Sequence, residues 1–165
     1  MNAHTLSARW MPVLLAASAA VIVAVMGALV TDLSGWYRAL ARPAWQPPDW
    51  VFGPVWTLIY ALTAMAGVTA WRAVRSTADK NRIMLLFAIN LLLNILWSLL
   101  FFRLHRPDWA LFEVVALWLS IVALIIGLRP IHKATTHFLL PYLAWVSFAA
   151  VLNAEVVRLN PGLSG

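Results

Sequence analysis

Five apolar runs, each close to a bilayer's thickness, leave this chain few ways to fold. They cover about residues 11–30, 51–74, 83–102, 109–128 and 136–157. A hydrocarbon core of about 30 Å requires ~20 residues of helix. Inside hydrocarbon a segment must satisfy its own backbone hydrogen bonds, so each run is expected to be an α-helix. The links after the second, third and fourth runs are short, about 6–9 residues. Short links make antiparallel neighbours. Residues 1–165 therefore read as a single all-α membrane domain, a five-transmembrane-helix bundle. The chain is 63% hydrophobic and 11% charged, against roughly 45–50% and about 25% in soluble domains.

That composition narrows the chemistry. Without Cys there is no disulfide, thiolate metal site or Cys nucleophile. His4, His105, His132 and His137 all fall in expected loops or tails, which argues against a bis-His haem inside the bundle and leaves no metal site. The net charge is +6, but the cations cluster at the ends of the apolar runs. That pattern reads as interfacial anchoring and topology, with no nucleic-acid partner. Residues 11–30 exceed the ~7–15 residues of a signal-peptide core, so a retained helix is expected. Seven cations lie on the N-terminal side (Arg9, Arg72, Arg75, Lys80, Arg82, Arg129, Lys133) and five on the other (Arg38, Arg42, Arg103, Arg106, Arg158). The positive-inside rule then puts the N-terminus in the cytoplasm.

Only the first link, residues 31–50, is long, and long loops in compact domains are often functional. Residues 36–60 hold four of the ten Trp and four of the nine Pro. A stretch this rich in rigid, ring-bearing residues predicts a structured loop. On the second span Trp56, Tyr60, Thr63 and Gly67 share one face. They describe one wall of a cavity or an interfacial aromatic belt. On the third, Asn90, Asn94, Trp97 and Phe101 share a face. Buried amides need partners, either on a neighbouring helix or in a shared polar-aromatic pocket. On the fifth, Tyr142, Trp145, Ala149, Leu152 and Asn153 align, with Pro141 near the start. Ala149 leaves room for a ligand or a neighbouring helix. Ala16, Ala20, Ala24 and Gly27/Ala28 form a small-residue face on the first span, suited to packing within the chain or to a dimer.

Glu113, near the start of the fourth span, is expected to reach water or pair with Arg106, although an acid at membrane depth is a functional candidate by default. Glu155 is expected beside Arg158 at the interface. There is no Lys inside a span, no ladder of buried acids, no Ser-His-Asp set and no phosphate loop. Converging Trp, Tyr and Asn suit a large, flat, mainly apolar ligand held by stacking. Arg38 and Arg42 would meet carboxylates on its rim.

These residues carry a resemblance. Trp36-Tyr37, Leu40, Pro43, Trp45, Pro47-Pro48, Gly53-Pro54-Val55-Trp56-Thr57, Tyr60, Asn94, Trp97, Pro141-Tyr142-Leu143-Ala144-Trp145, Phe148-Ala149 and Leu152-Asn153 resemble the tryptophan-rich sensory protein / translocator protein (TspO/MBR) family along essentially the whole chain. The resemblance implies a bundle that is usually a homodimer, with the first loop as a lid. It also implies binding of porphyrins such as protoporphyrin IX and haem, and of benzodiazepine or isoquinoline drugs, with no cofactor required. The family's pocket residues carry over to Tyr37, Trp45, Asn94, Trp97, Trp145 and Ala149. With the faces above, the expected ligand site comprises Trp36, Tyr37, Trp45, Pro47, Trp56, Tyr60, Asn90, Asn94, Trp97, Tyr142, Trp145, Phe148, Ala149, Leu152 and Asn153.

Three functions follow as expectations. The first is a tetrapyrrole sensor, scavenger or carrier in a bacterial cell membrane. The second is a light- and oxygen-dependent porphyrin-degrading enzyme, in which Trp56 and Trp145 are the redox residues. The third is a sterol or porphyrin transporter. The animal sterol motif needs a Tyr after the Leu-Asn of the fifth span. Here Ala154-Glu155-Val156-Val157-Arg158 follows, without it. Thr63-Ala64 stands where animal members have Met-Gly.

Overall fold

The computed structural model describes residues 35–163 together with 10, 11, 13, 14, 16–18, 20–23, 25, 29, 31 and 32. The first apolar run falls only partly within these residues, and those described between 10 and 29 are helical. Ala24, Gly27 and Ala28 of its small-residue face lie outside them. A short helix, α1 (Gly35–Ala39), follows in the first loop. Four long helices complete the chain: α2 (Phe52–Ala73), α3 (Thr77–Ser98), α4 (Pro107–Leu128) and α5 (Ala134–Leu159). Among the described residues there is no strand, and these four helices are long and apolar enough to cross a membrane.

The helix ends follow local chemistry. Ser76 caps α3, its hydroxyl accepting from the Ala78 N–H at 3.2 Å. Asp79 adds negative charge to the first turn. The helix therefore starts six residues ahead of the apolar run, in polar sequence that needs no bilayer. At its other end α3 widens into a π-helical turn, Leu99–Arg103. Pro107 opens α4, where its missing N–H costs nothing. Because α5 begins at Ala134, His137 sits in its first turns rather than in a loop, and Pro141 lies inside the helix.

α4 packs against both α3 and α5, and α2 packs against α5; α2 and α3 touch far less. The core runs through the bundle in three tiers. Tyr37, Leu40, Phe101, Ala110 and Val156 form the tier under the first loop. Ile59, Val114, Leu117, Ile121, Tyr142 and Val146 fill the middle. Ala66, Ala70, Ile83, Leu124, Leu128 and Leu139 fill the far end. Outward-facing positions such as Leu58, Met65, Leu92, Phe112, Leu119 and Ile126 are exposed and apolar, as a lipid-facing surface requires.

Gly127 of α4 packs tightly against α3. A Cβ added there would lie 3.0 Å from the Leu86 Cδ1 and 3.7 Å from an Arg82 nitrogen. The Leu86 methyl can rotate, so Gly127→Ala is expected to cost about 1 kcal/mol or less, whereas Gly127→Val would cost about 2–3 kcal/mol by overpacking. Unfolding in mixed micelles, followed by loss of helical circular dichroism, measures both.

The first loop is wired to the helix ends. The Tyr37 hydroxyl donates to Asp49 Oδ1 at 3.2 Å and accepts from Gln46 Nε2 at 3.1 Å. Burial pushes the Tyr37 phenol pKa up, and the neighbouring Arg42 acts in the opposite sense. Arg42 also pairs with Asp49 at 3.3 Å and lies 5.1 Å over the Tyr37 ring. Trp36 stacks on His105 at 4.3 Å. His105 has a positive φ of 54°. Beyond α5, Asn160 clamps the loop from both sides: its Oδ1 accepts from the Ala41 N–H at 3.0 Å and its Nδ2 donates to the Ala41 carbonyl at 2.9 Å.

Candidate functional site

Because α2 and α3 diverge, a cavity of about 400 Å³ opens between them. From α2 it takes Tyr60, Thr63, Ala64, Gly67 and Trp71; from α3, Ile83, Met84, Phe87, Ala88, Asn90, Leu91 and Asn94. Tyr142 of α5 reaches in, and Ala16, Ala20 and Val23 border the cavity from the first apolar run. The part of that small-residue face which is described therefore turns toward the cavity. The α2 residues recur at spacings of three and four, so a single helix face supplies the wall. Gly67 keeps it open; an added Cβ there would make only ordinary contact, 3.5 Å from the Phe87 ring.

The cavity's head is a hydrogen-bonded relay. Tyr60 O–H donates to Asn94 Oδ1 at 3.1 Å, and Asn94 Nδ2 donates to the Tyr142 hydroxyl at 3.1 Å. One turn away, Asn90 Nδ2 donates to Ser120 Oγ at 2.8 Å, and Ser120 donates to the Leu117 carbonyl at 2.7 Å. The two amides thus do both things expected of them. They tie α3 to α2, α4 and α5, and they line the cavity. Trp56 stacks on Tyr60 with centroids 5.3 Å apart and meets Tyr142 edge-on at 6.1 Å. The Thr63 hydroxyl is buried and has no hydrogen-bond partner among the described residues, which leaves one polar handle on an otherwise apolar wall.

Of the fifteen residues expected at the site, Tyr60, Asn90, Asn94 and Tyr142 line this cavity. Trp56 stands above them. The others fall into separate groups. Trp36, Tyr37 and Trp97 gather with Phe101 and Phe102 under the first loop. Trp45, Trp145 and Phe148 cluster with Phe52. Leu152 and Asn153 are buried, and Asn153 Nδ2 donates to the Pro107 carbonyl at 2.9 Å, tying α5 to the start of α4. Ala149 is half-buried on α5, and Pro47 is half-buried in the loop.

Two electrostatic expectations change. Arg106 does not pair with Glu113; its Nε donates to Asp108 Oδ1 at 2.8 Å, two residues away. Glu113 is instead buried at 8% exposure, with no partner for either oxygen among the described residues. Arg42 is engaged by Asp49 within the loop, although both loop arginines are exposed. Glu155 does pair with Arg158, at 2.6 Å.

Sequence reasoning placed Gly67 on a cavity wall, as found, but missed the rest of the far half, Trp71 on α2 and Ile83 to Phe87 on α3. The signal was there. Stepping back from Asn94 and Asn90 by the same three-and-four spacing reaches Phe87 and Ile83.

Comparison with known proteins points to one family. The profile of the TspO/MBR family matches residues 13–159. The tryptophan-rich protein TspO of Chlorobaculum tepidum is 41% identical over 135 residues, covering 78% of this chain and 81% of that one. The tryptophan-rich sensory protein of Cereibacter sphaeroides is 33% identical over 137 residues, covering 83% and 84%. The human translocator protein is 32% identical over 131 residues, covering 79% and 78%. With four membrane-length helices and a match across nearly its whole length, the chain is an integral, multi-pass membrane protein and belongs to the TspO/MBR family.

Proposed function

We propose that this protein is a membrane receptor for a flat, mainly apolar tetrapyrrole, protoporphyrin IX or haem, acting as sensor, scavenger or carrier. In this reading the chain is a five-helix bundle in a bacterial cell membrane, a homodimer with its N-terminus in the cytoplasm. The Trp36–Pro48 loop serves as its lid. The observation that carries the reading is the Asn94 amide held between two phenols at the head of an apolar cavity. Small-molecule sites are typically about 300–1,000 Å³, largely apolar, with a few placed polar groups. This cavity lies at the small end of that range and opens between two helices, so a large ring would extend from it toward lipid. The Trp56–Tyr60 stack offers ring faces at its head, and the seven-to-five cation bias supports the orientation.

The test is a titration of purified protein with protoporphyrin IX, followed by quenching of Trp fluorescence. Saturable quenching is expected, and its absence overturns the reading. Trp56→Ala is expected to weaken binding by about tenfold or more, since stacking of a planar ring on an aromatic side chain contributes ~1–3 kcal/mol. An affinity unchanged in that variant would place the ligand away from the head of the cavity.

A further inference from the structure

Seven residues make nearly two full helical turns, so seven steps along each of two antiparallel helices lead from one facing pair to the next. On the α3–α4 seam, Asn90 faces Ser120 and bonds to it. Seven residues further along α3 is Trp97, and seven back along α4 is Glu113. Phe101 and Ala110, packed in one cluster, bracket the same level from the other side. Trp97 and Glu113 therefore stand at one level of the seam, on its facing sides. The indole N–H of Trp97 and both carboxyl oxygens of Glu113 are buried without a hydrogen-bond partner among the described residues. Asn90, Asn94, Ser120 and Tyr142 next to them are all satisfied directly. A buried donor and a buried carboxyl left over at the same height mark a site for a third group. Acids within a membrane span are costly and are kept for function.

We propose that Trp97 and Glu113 form a buried polar subsite that takes one hydroxyl-type group, accepting from the indole N–H and donating to the Glu113 carboxyl. Glu113 is thereby a positioning residue that fixes the Trp97 ring about one turn beyond Asn94, which lines the head of the cavity. The hydroxyl comes either from a water molecule or from a carboxylic acid of the bound ligand. The ligand half of this assignment rests on the tetrapyrrole reading; the subsite itself does not.

The test is a double-substitution cycle with Glu113→Leu and Trp97→Phe, with Glu113→Gln as the conservative variant. Each is titrated with protoporphyrin IX and with its dimethyl ester, and each is unfolded without ligand. Glu113→Leu removes a buried carboxyl that has no direct partner among the described residues and is expected to raise the unfolding midpoint while weakening binding about tenfold, the size expected for one buried hydrogen bond. Trp97→Phe keeps a ring but loses the N–H and is expected to weaken binding similarly. The double variant is expected to bind no worse than either single, and Glu113→Gln to recover most of the affinity. If a ligand acid fills the subsite, the ester binds the wild type about tenfold more weakly and ignores Glu113→Leu; if water fills it, acid and ester suffer alike. Additive losses, or a lowered midpoint with unchanged affinity, overturn the assignment. If the wild type binds no porphyrin, the tetrapyrrole reading fails and the midpoints alone decide. Coupled midpoints for the two substitutions support the subsite, and additive ones overturn it.

Discussion

Asn94→Leu is expected to be among the most damaging single substitutions in the bundle, and for a specific reason. Asn94 is the only described side chain that bonds both Tyr60 and Tyr142. Leucine matches its size but offers neither donor nor acceptor. Tyr142 is 2% exposed, so its hydroxyl would lose its amide donor where no bulk water reaches. Side-chain hydrogen bonds inside membranes contribute about 0.6 kcal/mol on average and up to ~1.7, while a buried polar group left unpaired costs about 1–3 kcal/mol. Two lost bonds and a stranded phenol together amount to about 2–4 kcal/mol. Asn90→Leu is the internal comparison. It removes one side-chain bond, and Ser120 keeps its own bond to the Leu117 carbonyl. That variant is expected to cost about 1 kcal/mol. Unfolding in mixed micelles ranks the two. Equal losses would show that the Tyr–Asn–Tyr relay adds nothing beyond ordinary inter-helix bonding.

Gly67→Leu should separate binding from folding. Its Cβ would touch the Phe87 ring at 3.5 Å, an ordinary contact, so neither helix has to move. The rest of the side chain has only the cavity to enter. Stability is expected to hold or to rise by up to about 1 kcal/mol, since leucine is the better helix former. Porphyrin affinity is expected to fall about a hundredfold, a loss of ~2.7 kcal/mol. Fluorescence quenching and unfolding on the same preparation report both. Undiminished affinity would move the ligand out of this cavity, and the Trp45–Trp145–Phe148 cluster would become the next place to look.

How much of this was legible in the sequence depended on the range of the interaction. The long helices announce themselves because hydrocarbon enforces length and apolarity together. Their polar ends do not; Thr77 to Arg82 are helical because Ser76 caps them, and a search for apolar runs passes over a cap. The amides were legible as groups that must find partners, but which partners they find was not. Asn90 and Asn94 are bonded to residues 30 and 48 positions away. Gly67 and Ala64 look the same in sequence whether they face lipid or a cavity, and only the divergence of α2 from α3 decides. Glu113 was set beside Arg106 by proximity along the chain. Asp108 is nearer still and takes the guanidinium, and the deeper acid has no hydrogen-bond partner among the described residues.

The clamp between Asn160 and Ala41 has a consequence for biogenesis. Its two halves are 119 residues apart. At a synthesis rate of about 5–20 residues per second, the loop would wait on the order of ten seconds for its fastener. Until then the loop around Ala41 has its internal Tyr37–Asp49–Gln46 bonds but nothing from the chain's last turn to hold it down. The order of translation thus keeps this loop from being fastened until residue 160 has been made. A peptide appended just beyond residue 160 would act on the opposite end of the sequence, at the loop, rather than on the helix that carries it.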